Sequence, residues 1–101
     1  METKAPTMTA ADAAEILRKA YPYGDPAGYE ADAAALADLW NGARGNEFRA
    51  LMAVKLGPFP GAVYLDMRRF MSATARAAGL NAGRWVSMAD RLPEVWPRRF
   101  R

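Results

Sequence analysis

Apolar residues recur at helical spacing in five separate runs. In the first, Ala13, Ile16, Leu17 and Ala20 fall on one face, Thr9 can cap the start with Asp12 three residues on, and Pro22 stops the run. After a turn through Tyr23, Gly24 and Asp25, the pair Asp25–Pro26 suits the start of a second helix. Tyr29, Ala33, Leu36 and Trp40 form its inner face, and Asn41 and Gly42 end it. A third run opens at Gly45 and Asn46, carries Phe48, Leu51, Met52 and Leu56, and closes at Gly57–Pro58. Pro58, Phe59, Pro60 and Gly61 make a stiff connection, followed by a helix over 62–78 whose apolar stripe is Val63, Met67, Phe70, Met71 and Thr74. A short strand over 62–65 is the competing reading of that start. Gly79, Leu80 and Asn81 break the pattern, and a fifth helix bears Trp85, Met88, Ala89 and Leu92, with Pro93 expected to end it. The pattern predicts an all-α protein: one compact bundle of about five short helices over 9–101, with a mobile N-terminal tail (1–8) and a basic C-terminal tail (93–101).

Composition agrees with helix. Of 101 residues, 22 are alanine, one is isoleucine and four are valine. Alanine loses no side-chain entropy in a helix, whereas β-branched residues fit strands better. The length suits one domain with its own core, and 51% hydrophobic with 25% charged residues is a globular balance. Cysteine is absent, so disulfides and thiolate metal sites are excluded. Met1 to Ala10 has neither the basic start nor the apolar run of a signal peptide, and no stretch reaches transmembrane length. A cytoplasmic protein with no membrane partner is the expectation.

Charge divides the chain. Residues 1–42 carry a net −4 and residues 43–101 a net +7. Such asymmetry points to an acidic partner for the second half, or to two halves whose charges face each other and solvent.

The residues needed for most catalysis are missing. With no histidine the commonest general base is absent, and the hydroxyls of Ser72, Ser87 and four threonines have no base at a suitable spacing. Asp12 with Glu15, and Asp32 beside Glu30, read as solvated charges on alanine-rich helices. The glycines sit at helix ends and form no phosphate-cradling pattern. The expectation is a binding protein, not an enzyme, with no cofactor and no metal.

One segment is motif-like. In Thr74–Leu92, Ala75 is followed four residues later by Gly79, then by Leu80, Asn81, Trp85 and Met88. This resembles a helix-turn-helix DNA-binding unit over about a fifth of the chain. The resemblance implies that Ala75 permits close helix crossing, Gly79 takes the turn, and Trp85 and Met88 anchor a recognition helix at Ala82–Arg91. Its outward residues would include Ala82, Gly83, Val86 and Ser87, flanked by Arg84 and Arg91. The sequence departs from the family where it matters most: that face is mostly small, whereas base readout uses arginine, asparagine or glutamine. Trp85 is also bulkier than the valine or isoleucine usual there.

A stripe of arginines, Arg68, Arg69 and Arg76, joins the tail cations Arg98, Arg99 and Arg101 as candidate contacts to phosphates or to an acidic protein surface. Trp96 and Phe100 either stack or anchor at an interface, or pack back to extend a small core. With Arg84 and Arg91 these residues make up the candidate partner-binding set. Two functions follow. In the first, the chain is a protein-binding inhibitor or adaptor that acts on a host protein or nucleoprotein complex with an acidic surface. Phages and other mobile elements often encode chains of this size and make-up, and anti-CRISPR-type inhibitors are similar in style alone. In the second, it is a helix-turn-helix regulator on duplex DNA, as a homodimer.

Overall fold

A computed structural model describes residues 6–21 and 26–101; the side chains of 26–28 are not considered. Within those residues the chain forms five α-helices, α1 (Ala10–Ala20), α2 (Pro26–Asn41), α3 (Gly45–Lys55), α4 (Tyr64–Ala77) and α5 (Ala82–Val95), and two 3-10 turns, Pro60–Val63 and Arg98–Phe100. The all-α bundle expected from the periodicity is the fold. The predicted turn at Tyr23, Gly24 and Asp25 lies outside the described residues, as do residues 1–5 of the expected tail.

Local chemistry sets the ends. Thr9 and Asp12 form a reciprocal cap on α1: the Asp12 amide donates to Thr9 Oγ1 and the Thr9 amide donates to Asp12 Oδ2, each at 3.0 Å. Asn41 closes α2, and Gly45 opens α3 where a Cβ would run into the Trp40 carbonyl. Between α4 and α5, Gly79 adopts φ +71°, a left-handed conformation that costs glycine little. The Asn81 side chain then accepts from the Arg84 amide at 2.9 Å and caps α5.

Three sequence expectations are corrected. Residues 62–65 form no strand: a 3-10 turn leads directly into α4 at Tyr64, and no strand occurs among the described residues. Pro93 does not end α5, which runs on to Val95. A proline inside a helix removes one hydrogen bond, but here Pro97 decides the end, because the residue before a proline is pushed from the helical region. Trp96 accordingly takes φ −69°, ψ 122°. Finally, residues 6–8 are held rather than loose. The Asn41 amide brackets Met8, accepting from its N–H at 3.0 Å and donating to its carbonyl at 2.7 Å. Trp40 Nε1 donates to the Pro6 carbonyl at 2.7 Å, and the Met8 side chain is buried in the core.

Helix α1 packs along α2 and α4 along α5, α5 also rests on α1, and α3 bridges α2 to α4. One part of the core is aliphatic, with Ile16, Leu17, Leu36, Met88 and Leu92 buried. Another is aromatic. Trp40 lies 5.7 Å from Trp96 and 5.4 Å from Phe100, and Phe48 lies 5.8 Å from Trp96 and stacks on Phe70 at 6.0 Å. Each such pair adds about 0.5–1.5 kcal/mol beyond area burial.

Asp12 also joins the two ends of the chain, accepting from Arg99 at 2.8 Å. Its carboxyl is held below its ordinary value of 3.8, first by the Thr9 backbone, then by the Thr9 side chain and Arg99, against some desolvation. A carboxyl lowered in the folded state contributes stability that is complete above the unfolded value and is lost as pH falls through the folded one. The wild type should therefore be more stable than Asp12→Asn at about pH 6, with the gap narrowing as pH drops below about 4, as read by urea denaturation across a pH series. A pH-independent gap would mean that this cap does not titrate with folding.

Candidate interaction surface

The candidate partner-binding residues separate into three groups. Trp96 and Phe100 are 2% and 3% exposed, and Trp96 Nε1 donates to the Phe100 carbonyl at 2.8 Å. Both are core residues with no face left for a partner, so their assignment to the interaction surface is corrected. The cause is their apolar area: burying an aromatic ring gains more than solvating it between arginines.

The second group is tied into the bundle. Arg84 forms an ion pair with Asp32 at 3.1 Å, and Trp85 Nε1 donates to the same carboxylate at 2.9 Å. Asp32 is thus buried and bonded from two sides, not the solvated charge its alanine-rich surroundings suggested. Arg91 reaches the Ala20 carbonyl at 3.2 Å and covers the Tyr21 ring. Arg99 holds Asp12, and Arg101 donates to the Trp96 carbonyl at 3.1 and 3.3 Å. Arg68 pairs with Asp90 at 2.8 Å and lies 4.8 Å over the Tyr64 ring. The Asp90 hydrogen bond, and then its charge, hold the Arg68 guanidinium above its already high value despite some desolvation.

Arg69, Arg76 and Arg98 form the third group, exposed and without an ion pair among the described residues. Arg69 and Arg76 sit on the face of α4 opposite its buried stripe of Met67, Phe70, Met71 and Ala75.

Around the recognition-helix segment, α5 buries Trp85, Met88, Ala89 and Leu92 and leaves Gly83, Ser87, Arg91 and Glu94 outward; Ala82 and Val86 are half-buried. The outward side chains are small, already engaged, or acidic.

What the sequence reading missed lies at the corner joining α3 to α4. Every exposed large hydrophobic residue among the described residues falls there: Val54, Phe59, Tyr64 and Leu65. Phe59 is 76% exposed and Leu65 59%. Phe59 is flanked by Pro58 and Pro60, which fix their own φ and restrict their neighbours, so the ring is held outward on a stiff segment. Leu65 belongs to the four- and three-residue steps Leu65, Arg69, Ser72, Arg76, the outward row of α4. Lys55 Nζ lies 5.4 Å over the other exposed ring, Tyr64. A leucine on a row otherwise polar was the available signal. Single exposed apolar residues are ordinary, but four within residues 54–65, with Lys55 and Arg68 over Tyr64, make this corner the candidate interaction surface.

A trough of about 560 Å³ between α1 and α2 is walled by Ala10, Ala11, Ala14, Tyr29 and Ala33 and rimmed by Arg18 and Glu30. Apart from the half-buried Tyr29 its walls are alanine, which gives a partner little to anchor on, whereas the corner presents whole side chains.

Comparison with protein-family models, with curated proteins and with solved structures finds no match to this chain. No helix among the described residues is long and apolar enough to cross a membrane.

Proposed function

We propose that this chain is a small non-catalytic binding protein, an inhibitor or adaptor that docks on a host protein or nucleoprotein complex through the α3–α4 corner. The observation that carries this reading is that the four exposed large hydrophobic residues among the described ones all fall within residues 54–65, beside Lys55 and Arg68. Aromatic and arginine side chains dominate binding energy at protein interfaces because a ring fills a desolvated pocket while guanidinium pairs at its edge. The test is affinity capture from lysate of the cells in which the chain is made, followed by reconstitution with the purified retained protein. A stoichiometric complex is expected, weakened about tenfold or more by Phe59→Ala, with unchanged thermal melting. If no protein is retained in stoichiometric amount, or a Phe59→Ala/Leu65→Ala double variant retains it equally well, the reading is wrong.

A helix-turn-helix regulator is the second reading, supported by the left-handed Gly79, the buried Ala75 and the Asn81 cap between α4 and α5. The outward face of α5 speaks against base readout. Anisotropy titration with mixed-sequence duplex DNA across a salt series separates the two, since phosphate binding weakens steeply as salt rises.

A further inference from the structure

The α3–α4 corner and the outward row of α4 share one linear order, apolar at the start of α4 and cationic beyond it. Phe59 and Leu65 stand at the first end. Arg69 and Arg76 follow at about 6 Å and about 16 Å of helical rise from Leu65, with Ser72 between them. We infer that this track receives an acidic segment of a partner protein, apolar at one end and bearing carboxylates along the rest. The inference rests on the protein-binding reading above and adds the chemistry of what is bound.

Charge selects the occupant. Arg69 and Arg76 have no carboxylate partner among the described residues, whereas the neighbouring Arg68 shares its charge with Asp90. Asp66 is the one carboxylate on α4; it sits in the first turn, off the row, where it favours the helix dipole. Residues 43–101 carry a net +7, so the field along the row attracts anions.

The apolar end separates protein from nucleic acid. Val54 and Leu65 are aliphatic and offer no π-face, and the Tyr64 ring already carries Arg68 at 4.8 Å and Lys55 at 5.4 Å. That leaves Phe59 as the one ring of the corner open to stacking, while single-strand binders use rings on which successive bases stack. A second copy fits poorly for a different reason. A two-fold interface sets the same surface on both sides, and this row brings two arginines and no carboxylate to pair with them.

The test is an NMR titration of the isotope-labelled full chain with three 12-residue peptides and one mixed-sequence DNA. The first peptide has leucine and phenylalanine at one end followed by glutamates; the second replaces glutamate with glutamine; the third scrambles the order of the first. The glutamate peptide should shift amide signals within residues 54–76 and bind about fivefold more tightly than the glutamine peptide at low salt, the gap closing in about 1 M salt. It should also bind more tightly than its scrambled form, and Arg69→Gln/Arg76→Gln should erase the gap to the glutamine peptide while leaving the fold's spectrum intact. The inference is overturned by equal binding of the first two peptides, by scrambled order binding equally, by shifts centred elsewhere, by tighter binding of DNA, or by no shift at millimolar peptide. Each of these leaves the lysate capture and its Phe59→Ala comparison to stand or fall separately, so loss of the acidic-segment inference is distinguishable from loss of the protein-binding reading.

Discussion

Trp96→Ala should lower the unfolding free energy by about 3–5 kcal/mol. The ring packs against Trp40 at 5.7 Å and Phe48 at 5.8 Å, and its Nε1–H satisfies the Phe100 carbonyl. Truncation opens a cavity on two aromatic faces and removes the bond that folds the last 3-10 turn onto the bundle. Domains of this size have total stabilities of about 5–15 kcal/mol, so the variant should melt roughly 12 °C lower or more. Phe59→Ala is the matched control. Its ring is mostly solvated, so the stability change should stay within about 0.5 kcal/mol. Urea denaturation followed by circular dichroism reads both. A near-neutral Trp96→Ala would mean that the C-terminal segment does not pack on the core, and a large loss in Phe59→Ala would move that ring out of the interaction surface.

Arg84→Met should cost about 3 kcal/mol, and a second substitution should restore part of it. The Asp32 side chain is 4% exposed and that of Arg84 38%. Removing the arginine leaves a buried carboxylate with only the Trp85 N–H as a close partner among the described residues. Breaking a buried pair from one side typically costs about 3–5 kcal/mol, and solvent screening at the half-open Arg84 end places this pair low in that range. Asp32→Asn/Arg84→Met should recover at least half of the loss, because the neutral amide still accepts from Trp85 without a bare charge. The doubly substituted chain is then the more stable of the two in the same denaturation experiment. A double variant no better than the single one would show that the cost lies in the lost arginine stem rather than in the stranded charge. In either case Arg84 acts on folding first, so a binding defect in an Arg84 variant is interpretable only beside its stability.

Helix number, order and most boundaries were legible along the chain because their causes are local. Thr9 with Asp12, Gly79 and Asn81 act through bonds spanning a few residues, and the apolar stripes of α1 and α5 repeat at the period of the helix itself. The all-α class and the lack of histidine and cysteine chemistry needed nothing more than the residue sequence. Local reading failed where two rules competed. Pro93 and Pro97 are both helix-ending residues, and the end lies just before the second.

The fate of each charged or aromatic side chain was decided only by the tertiary structure. Asp32 is 53 positions from Trp85, and Asp12 is 87 positions from Arg99. No periodicity reports such meetings, because an alanine-rich helix looks the same whether its carboxylate faces water or an indole. Folding brought Trp96 and Phe100 onto Trp40, engaged five of the eight candidate arginines with carboxylates, backbone carbonyls or rings, and left Phe59 and Leu65 outside. The sequence determined which residues could form a core. The tertiary structure chose among them, because burial depends on which helices meet, and the aromatic residues left exposed among the described ones, Phe59 and Tyr64, lie at the proline-stiffened corner between α3 and α4.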